Sequence, residues 1–244
     1  MSKTGRQLDG SDDAVLLALF GAIASQDHPE TMRRLDAAPD LAAKSIRIGA
    51  SRQDPGTYFL IAIHHYVYAG DTALHIAAAA HQPELAASLV ARGADPRARN
   101  RRGAQPLHYA ADGTPGAGFQ SRNAQREIVA FLIGAGAPPD AMDNSGVAPL
   151  HRAVRSRCSG AVSALIAHGA DPRLMNKSGS TPLHLAVQNT GKSNSGSDAA
   201  KTEQRRIIAL LLEHGASPAD VDANGKTVAA AASSDWIRQL LGSR

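Results

Sequence analysis

The sequence predicts an all-α solenoid of stacked helix pairs, and three marks recurring in register predict it. The first is Leu-His-x-Ala, found in Thr72-Ala73-Leu74-His75-Ile76-Ala77, Gln105-Pro106-Leu107-His108-Tyr109-Ala110, Ala148-Pro149-Leu150-His151-Arg152-Ala153 and Thr181-Pro182-Leu183-His184-Leu185-Ala186. The second is Gly-Ala at Gly93, Gly136, Gly169 and Gly215, and the third is a glycine ten residues later, at Gly103, Gly146, Gly179 and Gly225. The histidines lie 33, 43 and 33 residues apart, and 46 residues separate His184 from Ala230 at the equivalent place of a last unit. Two steps keep one period and two carry insertions of 10 and 13 residues.

Each element can be justified in order. Ser11 or Asp12 caps a helix from Ala14 to Gln26, with Leu16, Leu19, Phe20 and Ile23 at helical spacing, and Pro29-Glu30 opens a second helix to Ala37. Lys3 and Arg6 ahead of this apolar run, with Ala22-Ile23-Ala24 before Ser25, imitate an export leader. Asp9, Asp12 and Asp13 between them are poor leader chemistry. The expected compartment is the cytoplasm, with export the alternative. Residues 45–66 are too long for a connection and read as a hairpin or a short helix. In each later unit a capping residue such as Thr181 precedes Pro182 at the first helical position, and Leu183 and Ala186 face inward. The second helix carries an apolar stripe: Leu85 and Leu89, Ile128 and Leu132, Val162 and Ile166, Ile208 and Leu212. The next glycine follows the motif histidine by 18 residues in two units but by 28 and 31 in the others. The insertions therefore fall between the helices, at Asp112 to Asn123 and Asn189 to Thr202, where Gly and Ser predict surface loops. Trp236, Ile237 and Leu240 cover the final apolar face.

These marks resemble the ankyrin repeat, with its T-P-L-H-x-A signature and 33-residue period, over residues 67 to 225. The resemblance implies a flexible segment 1–10, a capping helix pair 11–44 and a finger insertion 45–66. It implies four full repeats at 67–99, 100–142, 143–175 and 176–221, and a capping repeat at 222–244. It also implies that His75, His108, His151 and His184 bridge the motif threonine and the backbone of a neighbouring turn. Gln105 and Ala148 replace that threonine in two units. Partners of the resembling family dock on the concave face built from the finger turns and first helices. Carried over by position, that face offers Tyr68, Asp71, Arg99, Arg101, Arg102, Met142, Asn144, Arg155, Met175 and Lys177. Tyr58, Phe59, Tyr66 and Tyr68 are four of the nine aromatic residues of the chain and crowd into the finger insertion, beside Arg97, Arg99, Arg101 and Arg102. Tyr and Arg dominate interface energetics, which adds Tyr58, Phe59 and Tyr66 to the partner-binding set.

Composition excludes other classes. With 43% apolar and 20% charged residues, the 244-residue chain can bury a core, and no run reaches the length of a membrane span. A net charge of +4 is mild for an electrostatic nucleic-acid binder. The single cysteine, Cys158, excludes disulfide frameworks and cysteine-rich zinc modules, and no paired His/Cys spacing suits zinc. Gly191-Lys192-Ser193 lacks the earlier glycine and the strand of a phosphate loop, and no G-x-S-x-G elbow occurs. The expected function is a non-enzymatic protein-interaction scaffold without cofactor or metal. One alternative is a nucleic-acid module using Arg97, Arg99, Arg101, Arg102, Arg152, Arg155 and Lys177. A second, weaker alternative is an enzyme with its site in the inter-helix loops.

Overall fold

The computed structural model describes residues 11–113, 120–188, 197–232 and 234–242, and in helix α6 the side chains from Asn123 onward. It is an all-α solenoid. Helix α1 (Ser11–Ala24) and α2 (His28–Ala37) form the first pair, followed by a 3-10 turn at Pro39–Ala42. Asp27 caps α2 by accepting the Glu30 N–H at 3.0 Å. Leu16, Leu19, Phe20 and Ile23 of α1 are buried in the core shared with the next unit.

The finger insertion is both hairpin and helix. Strand β1 (Phe59–Leu60) and β2 (His65–Tyr66) pair antiparallel, Phe59 opposite Tyr66 and Leu60 opposite His65. A 3-10 turn at Ile61–Ile63 joins them, closed by His64 in the left-handed region at φ 49°. Four helix pairs follow: α3 (Ala73–Ala79) with α4 (Pro83–Ala91), α5 (Pro106–Ala111) with α6 (Gln120–Gly134), α7 (Pro149–Arg155) with α8 (Ser159–Ala167), and α9 (Pro182–Ala186) with α10 (Asp198–Glu213). Short helices α11 (Val228–Ala231) and α12 (Asp235–Gly242) close the end. First helices pack in one layer, α1 on α3 on α5 on α7 on α9, and second helices α4, α6, α8 and α10 in another. The core runs between the layers without a break, lined by Leu74, Leu107, Leu150 and Leu183 from one side and Leu89, Leu132, Leu165 and Leu211 from the other. No pair closes its own apolar face; the neighbour does.

Two expectations need correction. The insertions are not loops throughout, because α6 and α10 run 15 and 16 residues against nine for α4 and α8. Gln120 to Asn123 and Asp198 to Thr202 are thus helical. Ser197 starts α10 by accepting the Ala200 N–H at 3.3 Å, with Asp198 in the first turn favoured by the helix dipole. The glycine-rich parts of both insertions lie outside the described residues. Second, Val162 and Ile208 are fully buried as expected, but the next buried residue of α8 and α10 lies one position earlier than expected. Leu165 and Leu211 are fully buried, whereas Ile166 and Leu212 are only partly so.

The junctions between paired helices explain why insertions are tolerated. In uninterrupted units a single left-handed residue, His81 at φ 52° or Arg157 at φ 57°, turns the chain. In the interrupted units a glutamine does the stitching. The Gln125 amide donates to the carbonyls of Ala110 (3.0 Å) and Asp112 (3.2 Å), and that of Gln204 to Ala186 (2.6 Å) and Gln188 (2.7 Å). The exposed carbonyls at the end of the first helix are satisfied from the second, whatever the chain does in between.

Candidate functional site

The wall beside the first helices is built from the finger turns, and each finger is fixed by one side chain. Asn100 Oδ1 accepts the N–H groups of Arg102 (2.9 Å) and Ala104 (3.1 Å). Asp143, Asn176 and Asp222 repeat this, Asp143 on Ser145 (2.9 Å) and Val147 (3.0 Å). The glycine that completes each turn has positive φ, 73° at Gly103 and 74° at Gly179. Fingers are tied to one another by backbone: Arg101 N–H to Ala69 O (2.7 Å), Asn144 N–H to Arg102 O (2.9 Å) and Lys177 N–H to Gly146 O (3.2 Å).

Behind the fingers the motif histidines act as rungs. Each ring accepts a backbone N–H at Nδ1, from Thr72 (3.2 Å), Gln105 (3.1 Å), Ala148 (3.3 Å) and Thr181 (3.4 Å). That leaves the proton on Nε2, which donates to the next unit at Ala104 O (3.2 Å), Val147 O (3.1 Å), Ser180 O (3.3 Å) and Lys226 O (3.1 Å). Thr72 and Thr181 add a hydroxyl contact to Nδ1 at 3.0 and 2.8 Å, which Gln105 and Ala148 do not supply. At three of the rungs burial disfavours the charged ring. Burial pushes His75 and His151 below their ordinary value and His108 down to about 3.

Two clefts open on the wall, sharing Arg102. The first, about 470 Å³, lies between the hairpin and the second finger, with Arg52, Tyr66, Tyr68, Arg101 and Arg102 on its sides. Arg102 sits 4.7 Å from the centre of the Tyr68 ring and donates to its hydroxyl at 2.8 Å. Arg101 stands 5.5 Å from the same ring and donates to Ala50 O. The second cleft, about 410 Å³, is lined by Arg102, Asp112, Asp143, Arg152 and Arg155. There Arg152 bridges Asp112 (2.9 Å) and Asp143 (2.8 Å). Burial works to raise Asp143, but bonds from Arg152 and the Val147 N–H outweigh it and hold the carboxyl below its usual range. Arg102 and Arg155 remain without a carboxylate at ion-pair distance among the described residues. Among the described residues no group of three His, Cys, Asp or Glu side chains is placed to hold a metal ion.

Comparison with known families matches three ankyrin family models: "Ankyrin repeats (many copies)" over residues 61–110, "Ankyrin repeats (3 copies)" over 119–195 and "Ankyrin repeat" over 178–226. Together they span more than half of the chain. The chain belongs to the ankyrin-repeat family. Ankyrin repeats are in general modules of protein–protein interaction, and the family is typically non-catalytic. Among curated proteins no significant match is found. No described helix is long and apolar enough to cross a membrane.

Within this ankyrin frame the sequence-selected residues divide into three sets. Tyr66, Arg99, Arg101, Arg102, Asn144, Arg155, Met175 and Lys177 are exposed, and Tyr58, Phe59, Tyr68 and Met142 half-buried. Asp71 must be removed from the binding surface, because it is 0% exposed. Its carboxylate accepts the Tyr68 N–H (2.7 Å), the Asn100 amide (2.8 Å) and the Tyr109 hydroxyl (3.0 and 3.1 Å), so it is an internal clamp. Arg99 is exposed but engaged, donating to Met142 O (3.0 Å) and Gly103 O (3.2 Å) across two fingers, as Arg97 does to Gly136 O (2.6 Å). Phe59 and Tyr66 stack at 4.7 Å across the hairpin. His65 on the same hairpin meets the edge of Tyr109 at 4.3 Å, and burial lowers its pKa to about 4. The sequence reading missed Arg52, which sits in an aperiodic loop with no spacing to align it.

Proposed function

We propose that the protein is a non-catalytic scaffold that binds a partner protein on the concave wall of its fingers and first helices. The observation carrying this reading is a row of exposed cations, Arg101, Arg102, Arg155 and Lys177, with no carboxylate at ion-pair distance among the described residues. Charges left unneutralised on a rigid surface steer and orient a partner. Rigidity itself helps, since a preformed wall has little ordering entropy to lose on binding. The finger-to-finger bonds and histidine rungs supply that rigidity. The reading places the protein in the cytoplasm. A mature start at Ser25 on N-terminal sequencing would overturn that, because it would mark residues 1–24 as a cleaved export leader.

Affinity capture tests the scaffold. Wild type, a wall variant (Arg101→Ala, Arg102→Ala, Arg155→Ala, Lys177→Ala) and an outer-layer variant (Arg126→Ala) are immobilised and their bound proteins identified by mass spectrometry. Partners retained by wild type and Arg126→Ala but lost from the folded wall variant support the reading. Equal recovery from all three sinks it.

A further inference from the structure

The hairpin of the long first finger contributes Tyr66 to a cleft with a distinct chemistry. Of the residues lining that cleft three are arginines, Arg52, Arg101 and Arg102, and none is acidic. Several cations elsewhere are matched, Arg33 and Arg34 with Glu30, Arg92 with Asp36, Arg173 with Asp220 and Arg206 with Glu203. Among the described residues no carboxylate reaches ion-pair distance of the three cleft arginines. Two of them are instead held in place by neutral groups, Arg101 by Ala50 O and the Tyr68 ring, Arg102 by the Tyr68 hydroxyl and ring. Each guanidinium has five N–H donors, so most of each fork remains available. Gathering like charges against one aromatic ring is unfavourable until an anion arrives, and carboxylates match the fork bidentately. Beside the arginines, the hairpin presents the exposed Tyr66, backed by Phe59, and its turn carries Ile61, 76% exposed.

We infer that this cleft takes an acidic segment of the partner polypeptide, two or three carboxylates on Arg52, Arg101 and Arg102 with a neighbouring apolar side chain on the hairpin; the inference rests on the wall being a protein-binding face. A nucleic acid fits less well. Both guanidiniums already crowd the Tyr68 ring where a base would stack, and the basic track is interrupted by Asp112 and Asp143 in the adjoining cleft. A short acidic run meets neither obstacle.

Fluorescence anisotropy with defined probes decides it. The probes are a labelled peptide holding three consecutive Glu beside a Leu, the same peptide with Gln for Glu, and a single-stranded oligonucleotide of equal charge. The Glu peptide should bind at least about tenfold more tightly than the other two, and should weaken as salt is raised. Arg101→Ala with Arg102→Ala should weaken it by about tenfold or more, while Arg126→Ala on the outer layer leaves it unchanged. Should the double variant misfold, Arg52→Glu alters an exposed side chain and should show the same loss. Equal binding of Glu and Gln peptides, tighter binding of the oligonucleotide, or affinity indifferent to these substitutions would overturn the inference. Partner capture that depends on the wall, without discrimination between the peptides, removes the acidic-segment inference and leaves the scaffold. Capture that ignores the wall removes the scaffold itself.

Discussion

Acidification from neutral pH should weaken the solenoid through its buried histidines, an effect partly offset by Asp112 and Asp140, whose carboxyls burial raises. Burial holds His108 at about 3 and His65 at about 4, against an ordinary 6.5. The folded protein therefore binds fewer protons than the unfolded chain at any pH between these values. The stability tied to the neutral rings is fully present above about 6.5, drains away as pH falls below it, and levels off only near the folded values. Each such histidine costs about 2 kcal/mol between about pH 7 and pH 5, so these two alone remove about 4 kcal/mol. His75, His81 and His151 are lowered by burial too and push the same way. The assay is urea unfolding by far-UV circular dichroism at half-unit pH steps. His108→Gln keeps a donor for Val147 O but cannot titrate, so it should flatten the slope by about 1 kcal/mol per pH unit between about pH 7 and pH 5. A wild-type stability that is level from pH 7 to 5, or a His108→Gln slope equal to wild type, would refute the neutral-rung argument.

Three further outcomes follow from the repeat geometry. Ala148→Thr should stabilise by about 1 kcal/mol, since among the described residues no acceptor serves the His151 N–H that Thr181 Oγ1 serves in the next unit for His184; thermal unfolding checks it, with a gain of about 2–4 °C expected. Gly179→Ala should cost about 2 kcal/mol or more, because a Cβ there would come within 2.5 Å of the Ala223 backbone nitrogen at φ +74°, whereas Gly93→Ala meets nothing within 4 Å and should cost less. Asp71→Ala should destabilise by about 3 kcal/mol or more by stranding the Tyr109 hydroxyl and Asn100 amide, measurable by denaturant titration.

What the sequence made legible was whatever recurs with the period. Leucine, histidine, alanine and the turn glycines repeat because each unit must bury the same face and donate to the same neighbouring carbonyl. Departures came where a count cannot say which side of a junction gains residues. The glycine spacing sized both insertions, but the helical share of each depends on the Ser197 cap and on Gln125 and Gln204 reaching back to the first helix. Adjacent apolar pairs, Leu165-Ile166 and Leu211-Leu212, leave a stripe ambiguous by one residue until the helix is seated. Asp71 was misplaced for a longer-range reason. Tyr109, at the variable position of its motif and 38 residues away, brings a hydroxyl onto that carboxylate and pulls it inside. Arg52 and the hairpin have no repeat partner, so no register could place them.

The wall keeps its charge because of how its arginines are anchored. On α10 and the end caps, several cations are matched by carboxylates three or four residues away, as Arg206 is by Glu203 and Arg238 by Asp235, which neutralises them at little cost in order. On the fingers, Arg97, Arg99 and Arg101 donate instead to the carbonyls of Gly136, Met142 and Ala50. A carbonyl fixes the direction of a guanidinium but leaves its full positive charge. The side chain loses its rotamer entropy on folding rather than on binding, and an incoming carboxylate meets a charge already aimed. Replacing one of these arginines by lysine would keep the charge and lose the aim. Arg101→Lys should therefore weaken binding of an acidic partner through faster dissociation, with association little changed; an unchanged dissociation rate would mean that charge alone, without orientation, accounts for the wall.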